Sequence, residues 1–158
     1  MAKDVHLVGF RVGRENFGVP ISSVHEIVRM MDVTSVPDSP DYIEGVINLR
    51  GKIIPVIDLR KRFGEAEIAS NNKKNRILVA EIQERLVGLL VDAASEVLKI
   101  PPEQIEPPPN VFEEGELNYV TGVGKLNGRL IILIDLSKIL QRGVLRHLGE
   151  LGDAAGAA

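Results

Sequence analysis

The sequence predicts an all-β fold built of two related halves, and three observations carry that prediction. Ile and Val together number 34 against 17 Leu, and β-branched side chains fit a pleated sheet better than a helix interior. Short apolar segments alternate with turn residues, the pattern of a sandwich or of small barrels. Finally, the chain repeats itself: residues 45–61, GVINLRGKIIPVIDLRK, align without gaps on 122–138, GVGKLNGRLIILIDLSK, with nine of seventeen positions identical.

In chain order, strands are expected over residues 5–12, 17–21, 46–49, 53–57, 76–82, 86–91, 120–125 and 130–134. The stretch Gly13-Arg14-Glu15-Asn16 and the dipeptide Asn127-Gly128 supply turns, the latter suited to a type I′ hairpin. A second internal match aligns residues 17–30 on 87–100, with Gly18 on Gly88 and Glu26 on Glu96. Its offset is 70 residues, whereas the first match is offset by 77, which places an insertion near 111–117 in the second half. The domain is therefore expected over 5–148, with halves at about 5–64 and 76–142 and a frayed tail at 149–158. Halves of this size bury little surface alone, so their mutual packing should supply much of the core.

Asp58 and Asp135 each precede a Leu and stand where a helix N-cap accepts hydrogen bonds from free amides. The first helix should stop at Gly64, while the second places Leu136, Ile139, Leu140, Leu145 and Leu148 at near-helical spacing, interrupted by Gly143. Residues 65–75, rich in Asn and Lys, read as an exposed connection. The stretch 101–109 holds five prolines, so several of its backbone acceptors escape ladder pairing.

Composition excludes much chemistry. Without Cys there are no disulfides, thiolate metal sites or cysteine nucleophiles. A formal charge of −3 gives no long-range attraction to phosphate backbones or anionic lipid. The start of the chain, MAKDVHLVGF, lacks the apolar stretch of a signal peptide, and no apolar run reaches the ~20 residues that span a bilayer. A cytoplasmic protein with no direct membrane insertion is expected. His6, His25 and His147 are far apart, without carboxylates at ligand spacing, so neither metal nor triad is expected. TGVGKLNG departs from a phosphate loop in spacing, with Leu126 at the hydroxyl position. Glu113, Glu114 and Glu116 read as a solvated loop. Four Phe, two Tyr and no Trp offer little stacking surface for nucleic acid. No catalytic residue, cofactor or metal is expected.

Two features remain. Arg50 aligns on Asn127, so if both turns share geometry it sits at positive φ, at a cost of about 1–2 kcal/mol for a residue with a Cβ. The alternative is a type II turn, which needs positive φ only at Gly51. The second feature is the segment 23–28, with its counterpart 94–98: Val24 and Ile27 do not alternate cleanly with polar positions. These segments suit either a groove where the halves meet or ordinary core packing.

The string GVINLRGKIIPVIDLRKRFG, with VHEIVRM and TSVPDSPDYIEG before it and LVGLLVDAASEVLKIPPEQIEPPP after it, strongly resembles the CheW family of bacterial chemotaxis coupling proteins, from about Leu7 to Leu140. The resemblance implies two SH3-like five-stranded barrels packed together, with short helices. It also implies a non-catalytic adaptor between the cytoplasmic tip of methyl-accepting chemoreceptors and the regulatory domain of the histidine kinase CheA, in array rings with other CheW-like domains. Carried over by position, it implies receptor-binding roles for Val24, Arg50, Gly88, Ala94 and Val97. It implies kinase contacts for Glu26 and Ile27, and a second, ring-building contact at Ile105, Glu106 and Val111. Glu106 stands where a basic residue can occur in the family, and Val111 where an aromatic can occur. An adaptor of a non-swimming pathway, a small-ligand-binding regulatory barrel and an oligonucleotide-binding barrel are the alternatives.

Overall fold

The computed structural model describes residues 3–63, 73–108 and 119–139. The expected helix stop at Gly64, the insertion at 111–117, Val111 and the loop carboxylates lie outside these residues. So do Leu140, Gly143, Leu145, Leu148 and the tail.

Eleven strands form among the described residues: β1 (Val5–Val12), β2 (Glu15–Pro20), β3 (Val24–Arg29), β4 (Ile43–Leu49), β5 (Lys52–Asp58), β6 (Arg76–Ile82), β7 (Arg85–Val91), β8 (Ala93–Ile100), β9 (Ile105–Glu106), β10 (Val120–Leu126) and β11 (Arg129–Ile134). Two short helices, α1 (Leu59–Arg62) and α2 (Leu136–Ile139), follow β5 and β11. All eight expected strands are present. The three additions are β3, β8 and β9. In β3 burial alternates, but the inward positions include Glu26 and the outward ones the exposed Ile27, so the apolar pattern in the sequence does not follow it; β3 also carries a bulge between Val24 and Glu26, and β8 the equivalent irregularity opposite Gly9 and Phe10.

The strands make two sheets. One runs in the order β3, β6, β7, β5, β4, and the other in the order β8, β1, β2, β11, β10, β9. The first, the central subdomain, uses strands between residues 24 and 91; the second, the terminal subdomain, uses strands from both ends of the chain. The repeats of the sequence therefore do not form one subdomain each. β1 and β2 of the first repeat pair with β8, β10 and β11 of the second, while β3, β4 and β5 pair with β6 and β7. The 3₁₀ turn Ile21–Ser23 carries the chain out of the terminal sheet, and Asp92 carries it back. In both sheets the closing pair is parallel, β5 on β7 and β11 on β2.

This exchange explains where the core sits. The largest cluster joins Phe10, Phe17 and Val19 of the terminal subdomain to Leu59, Leu78 and Leu89 of the central one. A second cluster around Ile47, Ile54 and Ile77 lies within the central subdomain, and a third around Leu7, Ile100 and Ile131 within the terminal one. An aromatic stack runs through the shared core, with centroid separations of 5.7 Å for Phe10 to Phe17, 4.9 Å for Phe17 to Phe63 and 5.6 Å for Phe63 to Tyr119. Such offset pairs add to plain area burial. Burial raises the pKa of the Tyr119 hydroxyl, opposed by the nearby Arg62 cation. Arg62 in turn donates from Nε and Nη2 to the Ile139 carbonyl, at 3.2 and 3.0 Å, tying α1 to α2.

Candidate functional site

The two equivalent hairpin tips settle the turn question. Arg50 has φ 51° and Gly51 86°, while Asn127 has 53° and Gly128 78°. Positive φ at both central residues is the type I′ geometry, so the type II alternative for Arg50 does not hold. Two-residue loops demand it because its twist matches that of the flanking strands. Gly suits its position freely, Asn tolerates it, and Arg is strained there. Asn48 secures the tip by accepting from the Gly51 amide at 2.9 Å.

The strained Arg50 side chain is 70% exposed and donates through Nη2 to Glu26 Oε2 on β3. His25, Glu26, Leu49, Arg50, Lys52 and Leu86 line a hollow of about 210 Å³. An equivalent hollow of about 260 Å³ opens on the terminal subdomain, lined by Gly9, Arg11, Asn16, Phe17, Leu126 and Arg129 among others. Gly9 and Asn16 stand there where the central subdomain has Val79 and Leu86.

The other expected residues separate into surface and interior. Ile27 is 39% and Val97 50% exposed, at equivalent positions of β3 and β8. Ile53 and Leu130, equivalent on β5 and β11, are exposed as well. Val24 and Ala94, also equivalent, are half-buried against the shared core, so the segments 23–28 and 94–98 combine core packing with an apolar surface. Gly88 is not a surface residue. A Cβ there would lie 2.9 Å from Ile77 Cγ2 and 3.2 Å from Val56 Cγ2, so this glycine permits close packing of β6 and β5 against β7. Gly88 thus has a packing role within its sheet. Ile105 is half-buried against the third cluster, and exposed Glu106 accepts from Lys125 Nζ at 2.7 Å. Val111 lies outside the described residues.

Arg60 was not singled out by the sequence reading, although the internal alignment pairs it with Ser137 and so marked a difference. Asp58 caps α1 by accepting from the Arg60 amide at 2.9 Å, and Asp135 caps α2 by accepting from the Ser137 amide at 3.0 Å. Among the described residues, only the first cap has a cation paired with it. The buried Arg60 guanidinium pairs with Asp58 at 2.9 Å and with Asp92 at 3.4 Å. Asp92 also accepts from the Gly13 amide at 2.7 Å, across the junction of the subdomains. Burial pulls the Arg60 pKa down, but the hydrogen bond and charge of Asp58, with Asp92 behind them, leave it raised overall. The cation is held by its acids and serves the fold rather than solvent. Gln83 and Glu84, at φ 50° and 67°, form a further strained tip that no glycine marked in the sequence.

Among the described residues, no group of three or more His, Asp or Glu is placed to hold a metal ion, and no helix is long and apolar enough to cross a membrane. The arrangement offers apolar and charged surface at matching places on two similar subdomains, which is suited to binding other proteins.

Comparison with known proteins gives the same direction. The model of the CheW-like domain matches residues 6–144. The chain is 40% identical over 131 residues to the Chemotaxis protein CheW of Klebsiella aerogenes, covering 83% of this chain and 78% of that protein. It is 32% identical over 134 residues to Protein FrzA of Myxococcus xanthus, covering 84% and 82%. The crystal structure of the scaffolding protein TtCheW from Thermoanaerobacter tengcongensis superposes with a TM-score of 0.79 at 41% identity, covering 91% of this chain and 96% of that one.

Proposed function

The chain belongs to the CheW-like family of chemotaxis scaffold proteins, and from that membership we propose that it couples the cytoplasmic tips of chemoreceptors to the regulatory domain of a CheA-type histidine kinase. It does so in the cytoplasm, without a catalytic step. The observation that carries this reading is the pairing of exposed apolar residues at equivalent places on the two subdomains: Ile27 with Val97, and Ile53 with Leu130. A protein with two similar docking faces can hold two partners at once. Weak individual contacts then suffice, because each bound neighbour raises the effective concentration of the next.

In this reading Glu26 and Ile27 on β3 face the kinase. Val97, with Val24 and Ala94 beneath the surface, lines the receptor side, where an amphipathic helix lays its apolar face into a groove. Arg50, beside Glu26 on the central subdomain, also contributes to receptor binding, while Ile105 and Glu106 contribute to the ring contact. Purified protein should retain both a receptor cytoplasmic fragment and the kinase regulatory domain at concentrations of about 1–10 µM, a range equivalent to roughly 7–8 kcal/mol of binding. Failure to retain either would refute the coupling role. The similarity to FrzA, which does not carry a chemotaxis name, favours a second reading as the adaptor of a non-swimming chemosensory pathway. Deletion that abolishes swimming chemotaxis would exclude that second reading.

A further inference from the structure

At the far end of the β3–β6 ladder from the Val24 bulge, Arg29 stands directly opposite Arg76. Like charges facing each other across a ladder destabilise it, so the fold itself gains nothing from this pair. Arg76 is held in place by its own backbone: Nη1 donates to the Lys73 carbonyl at 2.6 Å and to the Asn75 carbonyl at 2.8 Å. Arg29, Lys73, Arg76 and Met30 together line an open hollow. Among the described residues no carboxylate pairs with Arg29, Lys73 or Arg76. This concentration of cations occurs in a chain whose net charge is −3.

The duplication provides a control. The equivalent ladder end of the terminal subdomain places His6 opposite Lys99, with Lys3 and Asp4 before it. Where that end carries Lys3, Asp4, His6 and Lys99, the central end carries Lys73, Lys74, Arg76 and Arg29. An imidazole is replaced by a guanidinium on the same backbone framework, and no described carboxylate pairs with it.

On the same strand, Ile27 lies two residues before Arg29 and is 39% exposed, and successive alternate residues share a face. Apolar surface thus adjoins the cations. An anionic bilayer is a poor match for a concave hollow on a negatively charged molecule. A nucleic acid would want stacking surface, and among the described residues no aromatic lines this hollow.

We propose that Arg29, Arg76 and Lys73, with Ile27 and Met30 beside them, dock an acidic segment of the kinase-side partner that also carries an apolar side chain. This deepens the kinase contact assigned above to β3 and rests on that reading. Its carboxylates would relieve the repulsion between Arg29 and Arg76 through charge-assisted pairs, with Arg suited to grip them bidentately.

The test measures affinity of the full chain for the kinase regulatory domain and, separately, for a receptor fragment, at about 50 mM and about 300 mM salt, which brackets strong and weak screening. Arg29→Glu/Arg76→Glu should weaken kinase binding by roughly tenfold or more at low salt and flatten its salt dependence, with receptor binding unchanged. The neutral variant Arg29→Gln/Arg76→Gln, confirmed folded by circular dichroism, should show a smaller loss in the same direction. His6→Glu/Lys99→Glu should leave kinase binding unchanged. If both central variants bind the regulatory domain as the wild type does, the acidic-segment proposal is overturned while the adaptor role stands. Absence of binding by the wild type would instead overturn the adaptor reading. Loss of receptor binding in place of kinase binding, or co-sedimentation of the wild type alone with phosphatidylserine vesicles, would also overturn the acidic-segment proposal.

Discussion

The two repeats build the same hairpin, the same aspartate cap and the same parallel closing pair, yet they use charge differently. At Asp135 the cap is completed by a serine hydroxyl, which donates to Asp135 Oδ1 at 2.6 Å. At Asp58 it is completed by a buried arginine that reaches across to Asp92. At the hairpin tips, Asn127 meets the demands of its backbone, and Arg50 violates them while reaching Glu26. The difference teaches that two arginines ten residues apart have opposite characters. Arg60 holds the subdomains together. Arg50 is kept against local preference, as expected of a residue retained for contact.

The largest expected effect lies at the caps. Arg60→Leu would leave Asp58 and Asp92 without their cation and should cost about 3–5 kcal/mol, whereas Ser137→Ala should cost under about 1 kcal/mol. Equal losses in urea denaturation would erase the distinction. Next come Gly45 and Gly122, equivalent positions where a neighbouring segment crosses. A Cβ on Gly45, at φ +148°, would lie 2.1 Å from the Thr34 carbonyl oxygen, while at Gly122 the nearest atom is the Glu106 oxygen at 3.1 Å. Gly45→Ala should cost about 3 kcal/mol and Gly122→Ala about 1 kcal/mol, the range of overpacking with and without backbone strain. The smallest stability change is the most informative. Arg50→Asn should raise the melting temperature by about 1–3 °C, because relief of strain outweighs loss of an exposed ion pair. The same variant should weaken assembly with receptor and kinase, measured by co-sedimentation. A drop in melting temperature would return Arg50 to a structural role.

Much of this was legible in the sequence because it is local. Apolar runs and turn residues marked eight strands, and Asp58 and Asp135 stood before short helical segments. β3 and β8 escaped because apolar residues, Ile27 and Val97, stand at exposed positions where a polar residue would mark the period, and β9 because two residues carry no period at all. The family resemblance pointed alike to Ile27, Arg50 and Val97, which the structure exposes, and to Gly88, which it buries where a Cβ would crowd Ile77 and Val56. Nor did it point to Arg60, since a charged residue after a cap reads equally as a solvated helix face.

Composition, period and repeat mark this protein as all-β and duplicated, and the motif string around GVINLRGKIIPVIDLRKRFG marks its resemblance to chemotaxis scaffolds, because all of these are local and survive without coordinates. Only the tertiary structure decided that the repeats exchange strands, that both hairpin tips are type I′, and that Arg50 is exposed while Arg60 is buried. The physical reason is that pairing partners and burial depend on contacts between residues far apart in the chain. Internal alignment shows which segments are alike, and packing determines which segments meet.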